Sequence, residues 1–293
     1  MDLRAIGLGL AFAFMWSSAF TSARMIVADA PPITALALRF LISGLLGIAI
    51  ALAMGQTWRL TRLQWRSTVI FGICQYAIYL GLFFVAMQTV EASLAAIIAA
   101  AMPLFVGLFG WLFFGDRLRP LAVLGLLLGI GGVALIMGSR LTGGADPVGL
   151  GLCIVGTLAL TVATLSVRGA SSGGNLLMVV GLQMLVGSAA LGVAALLLES
   201  WTVHWSLRLI LAFTYTMLVP GLVATVTWFV LVNRIGTVRA ATFHFLNPFF
   251  GVLIAWLVLG EEISLLDVVG ALVIALGILA VQLSKQVAKP APA

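Results

Sequence analysis

His244, Asn247 and Pro248 fall within little more than one helical turn of each other in an otherwise apolar stretch, where a polar side chain is expensive unless it has a partner or a task. The imidazole has two readings. It donates to a carboxylate, stacks on a ring or carries a coupled proton, or it is a neutral ring bonded to a neighbouring carbonyl. Pro248 lacks a backbone donor and frees the carbonyl one turn earlier, as does Pro103; the two are read either as plain kinks or as gating hinges. Trp16 and Ser17 sit near the middle of the first apolar run, whereas tryptophan prefers the membrane interface, the place Trp58, Trp65, Trp201 and Trp205 take. Trp16 therefore either packs against small residues or forms a stacking wall for an aromatic or cationic solute. Gln75, Tyr76 and Tyr79 follow at helical spacing in a third run, with Tyr76, Tyr79 and Phe83 on one face. Thr161, Thr164, Tyr215 and Trp228 offer matching groups in the second half, although Ser and Thr also bond their own helix backbone. Arg39 is the one cation inside a run, placed either to bind a carboxylate or, as the preferred reading, to snorkel outward to Asp29 or Glu91.

The residue types left out matter as much. No Asp or Glu lies well inside a run, so a carboxylate relay for protons or sodium has no carrier. Phosphate-binding P-loop, HExxH and GxSxG patterns are missing, and two histidines without acid partners do not make a metal site. The sequence thus points away from an enzyme and calls for no cofactor and no metal. A filter-like glycine run or charged ring, the mark of a channel, is also missing, and so few buried cations argue against phosphate-rich solutes. Small zwitterionic, aromatic or lipophilic cationic solutes remain.

These groups must be positioned by membrane helices. Of 293 residues, 63% are apolar and 8% charged, against about 45–50% and about 25% in soluble domains. A helix crossing a hydrocarbon core of about 30 Å needs about 20 apolar residues, and that length picks out ten spans: 4–23, 33–54, 68–88, 93–114, 120–138, 148–167, 175–197, 208–231, 239–259 and 264–283. The run after Arg4 is read as a span rather than a signal peptide because its loss would spoil the repeat below. Cys74 and Cys153 lie in apolar runs and are read as packing residues. The basic residues, behind a pI of about 10.2, are scattered singly, so nucleic acid is not an expected partner. Retention of Lys and Arg on the cytoplasmic side sets the orientation. With the N-terminus inside, Arg4, Arg59, Arg62, Arg66, Arg117, Arg119, Arg168, Arg234, Arg239, Lys285 and Lys289 are inside, while Arg24, Arg140 and Arg208 are outside. Both termini are therefore expected in the cytoplasm, residues 284–293 forming a tail.

The spans repeat. Ala101-Met102-Pro103-Leu104-Phe105, Gly115-Asp116, Gly125 and Gly132 recur 145 positions on as Leu246-Asn247-Pro248-Phe249-Phe250, Gly260-Glu261, Gly270 and Gly277. Gly7-Leu8-Gly9-Leu10 recurs more loosely as Gly149-Leu150-Gly151-Leu152. Because each copy holds an odd number of spans, the second starts on the opposite side of the membrane and the copies are inverted. The expected fold is an all-α integral membrane protein of ten transmembrane helices in two inverted five-helix repeats, 4–138 and 148–283.

Two such halves, each with Pro, an apolar run, Gly-[Asp/Glu] and a glycine-containing last helix, resemble the EamA-type drug/metabolite transporter superfamily over residues 4–283, and most nearly its bacterial exporters of aromatic amino acids, the YddG type. Asp116-Arg117 stands where the family commonly has Glu-Arg. The resemblance implies a basket of helices around a central midplane cavity, lined mostly by the first, third and fourth helix of each copy with the fifth peripheral. It also implies a monomeric secondary transporter of the bacterial inner membrane that exports amino acids by alternating access. Export of other metabolites or lipophilic cations is the alternative within that class, and a lipid-head-group translocase the alternative outside it. The expected substrate-binding residues are Trp16, Ser17, Gln75, Tyr76, Tyr79, Thr161, Thr164, Tyr215, Trp228, His244 and Asn247.

Overall fold

The computed structural model describes residues 3–116, 118–166, 174–236, 240 and 242–286. Arg117, Arg168, Arg239, Lys289 and residues 287–293 of the expected tail lie outside the described residues, as does the Lys285 side chain. Ten helices are long and apolar enough to cross a membrane: α1 Leu3–Asp29, α2 Pro32–Ala53, α3 Arg62–Ala86, α4 Ala92–Phe114, α5 Pro120–Thr142, α6 Pro147–Ser166, α7 Leu176–Leu198, α8 Leu207–Ile235, α9 Thr242–Leu259 and α10 Leu265–Gln286. Several overrun the hydrophobic limits. Helix α1 continues six residues beyond 23 because Arg24, which a hydropathy ruler counts as an edge, donates to the Met87 carbonyl. Helix α3 starts at Arg62, not 68, because Thr61 and Gln64 form a reciprocal capping box (Gln64 N–H to Thr61 Oγ1, 3.3 Å; Thr61 N–H to Gln64 Oε1, 2.8 Å).

Four helices are interrupted, in matched pairs. Helix α3 widens to π-helix over Gly72–Tyr79 and α8 over Met217–Val223, starts that are again 145 positions apart. Pro220 sits in the second of these, where a proline removes an internal donor. Helix α4 breaks at Ala101 and restarts at Met102, while α9 runs as 3-10 helix over Thr242–Leu246 and becomes α at Asn247. Pro103 and Pro248 therefore stand in the first turn of a new helical segment, where the missing N–H is harmless. They mark breaks rather than bends in a continuous helix.

The contacts between halves are reciprocal, as two copies related by a two-fold axis require. Helices α5 and α10 cross at the repeat's own glycines: a Cβ on Gly125 would lie 2.6 Å from the Gly277 carbonyl, and one on Gly277 would lie 2.6 Å from that of Gly125. One turn or two along, Gly132 and Gly270 meet in the same way. Helices α2 and α7 pair through Gly44 and Gly181, and through Ser188, which donates to the Ala37 carbonyl at 2.8 Å. Residues 37 and 44 correspond to 181 and 188, so these two contacts are one contact seen twice. Likewise α1 packs on α8 and α9 as α6 packs on α3 and α4, and α4 packs on α9.

The ends of the bundle differ in charge. At one end Glu199 accepts from the backbone N–H groups of Ile33 and Thr34 (both 2.7 Å), and Glu261 from those of Ala92 and Ser93 (2.7 and 2.9 Å). The carboxylates thus offset the positive ends of α2 and α4. At the other end the matching cap of α7 is neutral: Gln56 Oε1 accepts from Met178 N–H at 3.0 Å. Buried Ile26, Leu36, Phe83, Phe84, Met87 and Val90 fill the Glu199 end, whereas a smaller cluster of Ala5, Leu231, Ala240 and Phe243 joins α1, α8 and α9 at the end that carries Leu3.

Candidate solute cavity

A cavity of about 370 Å³ lies between the two halves, within the range of about 300–1,000 Å³ usual for small-molecule sites. It runs from mid-bundle toward the end carrying Leu3 and adjoins, across shared walls at Trp16, Phe20, Gln75, Tyr76, Tyr79, Met184 and Thr225, a chamber of about 110 Å³ that reaches Arg39 and Met87. The interrupted segments form its walls. The π-turn of α3 presents Gln75, Tyr76 and Tyr79, the break in α4 presents Met102 and Pro103, and the 3-10 to α step of α9 presents His244 and Asn247. The π-turn of α8 presents Pro220 and Gly221 to the smaller chamber. Irregular helix of this kind turns side chains and carbonyls inward that a straight helix would stack along its own axis.

An aromatic box dominates the larger chamber. Phe12 has its ring 5.6 Å from Trp16, 4.8 Å from Trp228 and 5.3 Å, edge-on, from His244; Trp228 and His244 are 5.2 Å apart. His244 Nδ1 lies 3.1 Å from Asn247 Nδ2. An amide nitrogen only donates, so in this orientation of the amide Nδ1 is the acceptor. Asn247 Oδ1 is then left buried with no hydrogen-bond partner, in a residue 9% exposed on the cavity wall. A buried unmet acceptor costs about 1–3 kcal/mol.

The expected site residues divide. Trp16, Gln75, Tyr76, Tyr79, Thr164, Trp228, His244, Asn247 and Pro103 line the cavity together. Ser17, Thr161, Tyr215 and Pro248 do not. Ser17, fully buried, donates to the Asn247 carbonyl at 3.2 Å and so fixes α1 against the cavity segment of α9. Thr161, fully buried, donates to the Thr157 carbonyl of its own helix (2.8 Å), as Thr164 on the wall does to that of Leu160 (2.9 Å), and Tyr215 donates to Ser18 Oγ (2.8 Å) in the α1–α8 seam. Pro248 is buried behind Asn247. Beside the first, third and fourth helix of each copy, the second contributes as well: α7 supplies Val180, Gln183 and Met184, and α2 supplies Arg39 and Phe40. Gln183, 6% exposed, and Thr225 are wall residues not singled out from the sequence. A signal for each was present, since Gln183 is an amide inside a span at the repeat position of Arg39, and Thr225 precedes Trp228 by one turn.

Arg39 does not snorkel to Asp29 or Glu91. Asp29 accepts from Ser206 Oγ (2.7 Å) and, through its carbonyl, from His204 N–H (2.8 Å), while Glu91 pairs with Arg140. The Arg39 side chain turns into the bundle beside the Phe40 ring, 5.3 Å from its centroid.

Comparison with known proteins agrees with this architecture. YvbV of Bacillus subtilis, an uncharacterized transporter, is 25% identical over 281 residues, covering 94% of this chain and 91% of its own. YedA of Escherichia coli, an uncharacterized inner membrane transporter, is 28% identical over 298 residues, covering 98% and 94%. The aromatic amino acid exporter YddG of Ancylobacter novellus is 32% identical over 138 residues, 46% of this chain and 47% of that one. A solved crystal structure superposes with a TM-score of 0.67 over 99% of this chain and 100% of its own, at 21% identity, and shares the fold. The EamA-like transporter family model matches residues 3–138 and 147–283. With both halves matched and ten spans around a central cavity, the chain belongs to the EamA-like transporter family, a family of transporters and not of enzymes.

Proposed function

We propose that this transporter exports amino acids, aromatic ones included, across the bacterial inner membrane, its halves 4–138 and 148–283 exchanging conformations by alternating access, with a single chain as the working unit. The observation that carries the reading is the aromatic box, in a cavity whose described walls hold amides, phenols and hydroxyls but no acid. Such walls suit a ring with a polar end. The half-length likeness to an aromatic amino acid exporter supports the same class. Lipophilic cations would also find ring faces here, but Arg39 on the adjoining wall repels them.

The conformation is read as facing the cytoplasm. The larger chamber extends toward the end with the arginine-rich loops, and cations are retained on the cytoplasmic side. Closing that end and opening the Glu199 end would be the exchange of shapes that inverted copies permit, with the breaks before Pro103 and Pro248 as hinges. A cysteine replacing exposed Glu262, in a background without Cys74 and Cys153, is expected to label from outside intact cells, and one replacing exposed Arg62 is not. The reverse pattern would invert the orientation.

Proteoliposomes test substrate and energetics together. Labelled phenylalanine and threonine should equilibrate down their own gradients with no imposed ion gradient, since no acid that could carry a proton lines the described cavity, and His244→Gln should keep that activity. Quaternary cations should be transported poorly. Transport of the cations in place of amino acids would favour the cation reading. Uphill uptake driven by a proton gradient and lost in His244→Gln would make His244 a coupling group.

A further inference from the structure

Arg39 is 8% exposed, lies in mid-bundle on α2, and has no ion pair or hydrogen bond among the described residues. Its guanidinium rests on Phe40 and against the π-turn of α8, with Nη2 3.8 Å from where a Cβ on Gly221 would stand. A charge taken out of water without a partner is among the costliest arrangements in a membrane protein, and each carboxylate it was expected to reach is engaged elsewhere. A fork of N–H donors held beside a cavity and left empty is complementary to a carboxylate, which accepts two parallel hydrogen bonds from it.

We infer that Arg39 is the anion anchor of the cavity, taking the carboxylate of the solute while its apolar part passes Trp16 into the aromatic box. The inference rests on the amino-acid reading for the identity of the solute, though not for the chemistry of the anchor. The two chambers share Trp16, Gln75, Tyr76 and Tyr79, so the anchor and the box lie on either side of one set of side chains. The anchor lies on the Glu199 side of the box, which orients the solute: carboxylate toward the Glu199 end, ring toward the end carrying Leu3. The repeat breaks its symmetry here, because the residue matching Arg39 is Gln183. A single cation in the pair gives one anion site.

The test is binding to the purified full-length protein, measured calorimetrically with L-phenylalanine, 3-phenylpropionate (carboxylate without amine), L-phenylalanine amide and phenethylamine (amine without carboxylate). The parent should prefer L-phenylalanine to its amide by roughly tenfold or more, the usual worth of a charge-assisted contact. Arg39→Gln should weaken L-phenylalanine and 3-phenylpropionate by about that factor and leave phenethylamine bound as well as before or better, since a repelling cation is gone, with Arg39→Lys between. Equal affinity of the parent for acid and amide overturns the anchor whether or not the variants fold, as does an Arg39→Gln protein that binds the acids like the parent or loses phenethylamine equally. If 3-phenylpropionate binds through Arg39 and L-phenylalanine does not, the anchor stands and the amino-acid reading fails. If L-phenylalanine binds the parent and Arg39→Gln alike, the anchor fails and that reading stands; if no acid binds at all, both fail.

Discussion

Arg140→Gln is expected to unfold far more readily than the parent, by about 3–5 kcal/mol, the usual cost of removing one partner from a buried ion pair. Arg140 ties the end of α5 to the start of α10. Its Nε and Nη2 contact the two Asp267 oxygens at 3.0 and 2.6 Å, and Nη1 lies 2.9 Å from Glu91 Oε2 without hydrogen-bond alignment. Asp267 is 2% exposed. Without the guanidinium its carboxylate keeps only the Ser264 N–H and hydroxyl donors, at 2.9 and 2.8 Å, against the full cost of burial. Glu91→Gln should behave differently. Its side chain is 36% exposed, and burial holds its carboxyl above the usual range even though Arg140 pulls it down. A raised carboxyl contributes stability only below its ordinary pKa and loses it as pH climbs through the raised value, so an amide there removes a liability at neutral pH. The melting curve of detergent-purified protein, followed by survival of the monodisperse peak, should fall steeply for Arg140→Gln and stay near the parent for Glu91→Gln. Equal curves for Arg140→Gln and parent would show that Asp267 needs no cation. The Arg140→Met, Asp267→Leu double replacement should recover most of the loss, since it removes both charges from the interior.

The spans were legible because length and apolarity are the whole requirement for crossing a bilayer, and the repeat was legible because its glycines are where helices α5 and α10 touch, so a side chain there has no room. What the sequence concealed is rotation. Neighbouring residues on a helix point about 100° apart, so Trp16 faces the cavity while Ser17 faces α9; Thr161 and Thr164 both bond their own backbone, yet only Thr164 reaches the wall. Polarity alone does not choose between such neighbours. The π-turns of α3 and α8 are harder still, because only α8 carries a visible sign, Pro220, and its mate in α3 has none beyond Gly72. Those turns explain why α2 and α7 reach the cavity as well. Helix α7 packs so closely on the α3 turn that a Cβ on Gly187 would stand 2.3 Å from Tyr76 Cβ and one on Gly72 2.7 Å from the Gln183 carbonyl. Gln183 and Tyr76 consequently share one wall. Arg39 was visible as an anomaly, and only the third dimension shows that its presumed partners are occupied.

Trp16→Ala and Trp228→Ala are each expected to slow phenylalanine transport several-fold, and together by roughly tenfold or more, since a stacked ring pair contributes about 0.5–1.5 kcal/mol and a tenfold change corresponds to about 1.4 kcal/mol. The two should not be additive. Both rings lean on Phe12, at 5.6 and 4.8 Å, and on His244, so loss of either lets the box relax before the second is removed. Threonine separates this from general damage. Anchored by its carboxylate in the smaller chamber, its side chain is too short to fill the box, so its initial rate should change far less than that of phenylalanine. The comparison is of initial rates in proteoliposomes at equal protein, with insertion checked by protease protection. A parallel fall for both amino acids would mean that the tryptophans hold the helices and not the solute. An unchanged phenylalanine rate in the double variant would mean that the ring never enters the box. The expected pattern, phenylalanine lost and threonine kept, would place the aromatic side chain of the solute between Trp16 and Trp228, on the side of the cavity away from Arg39.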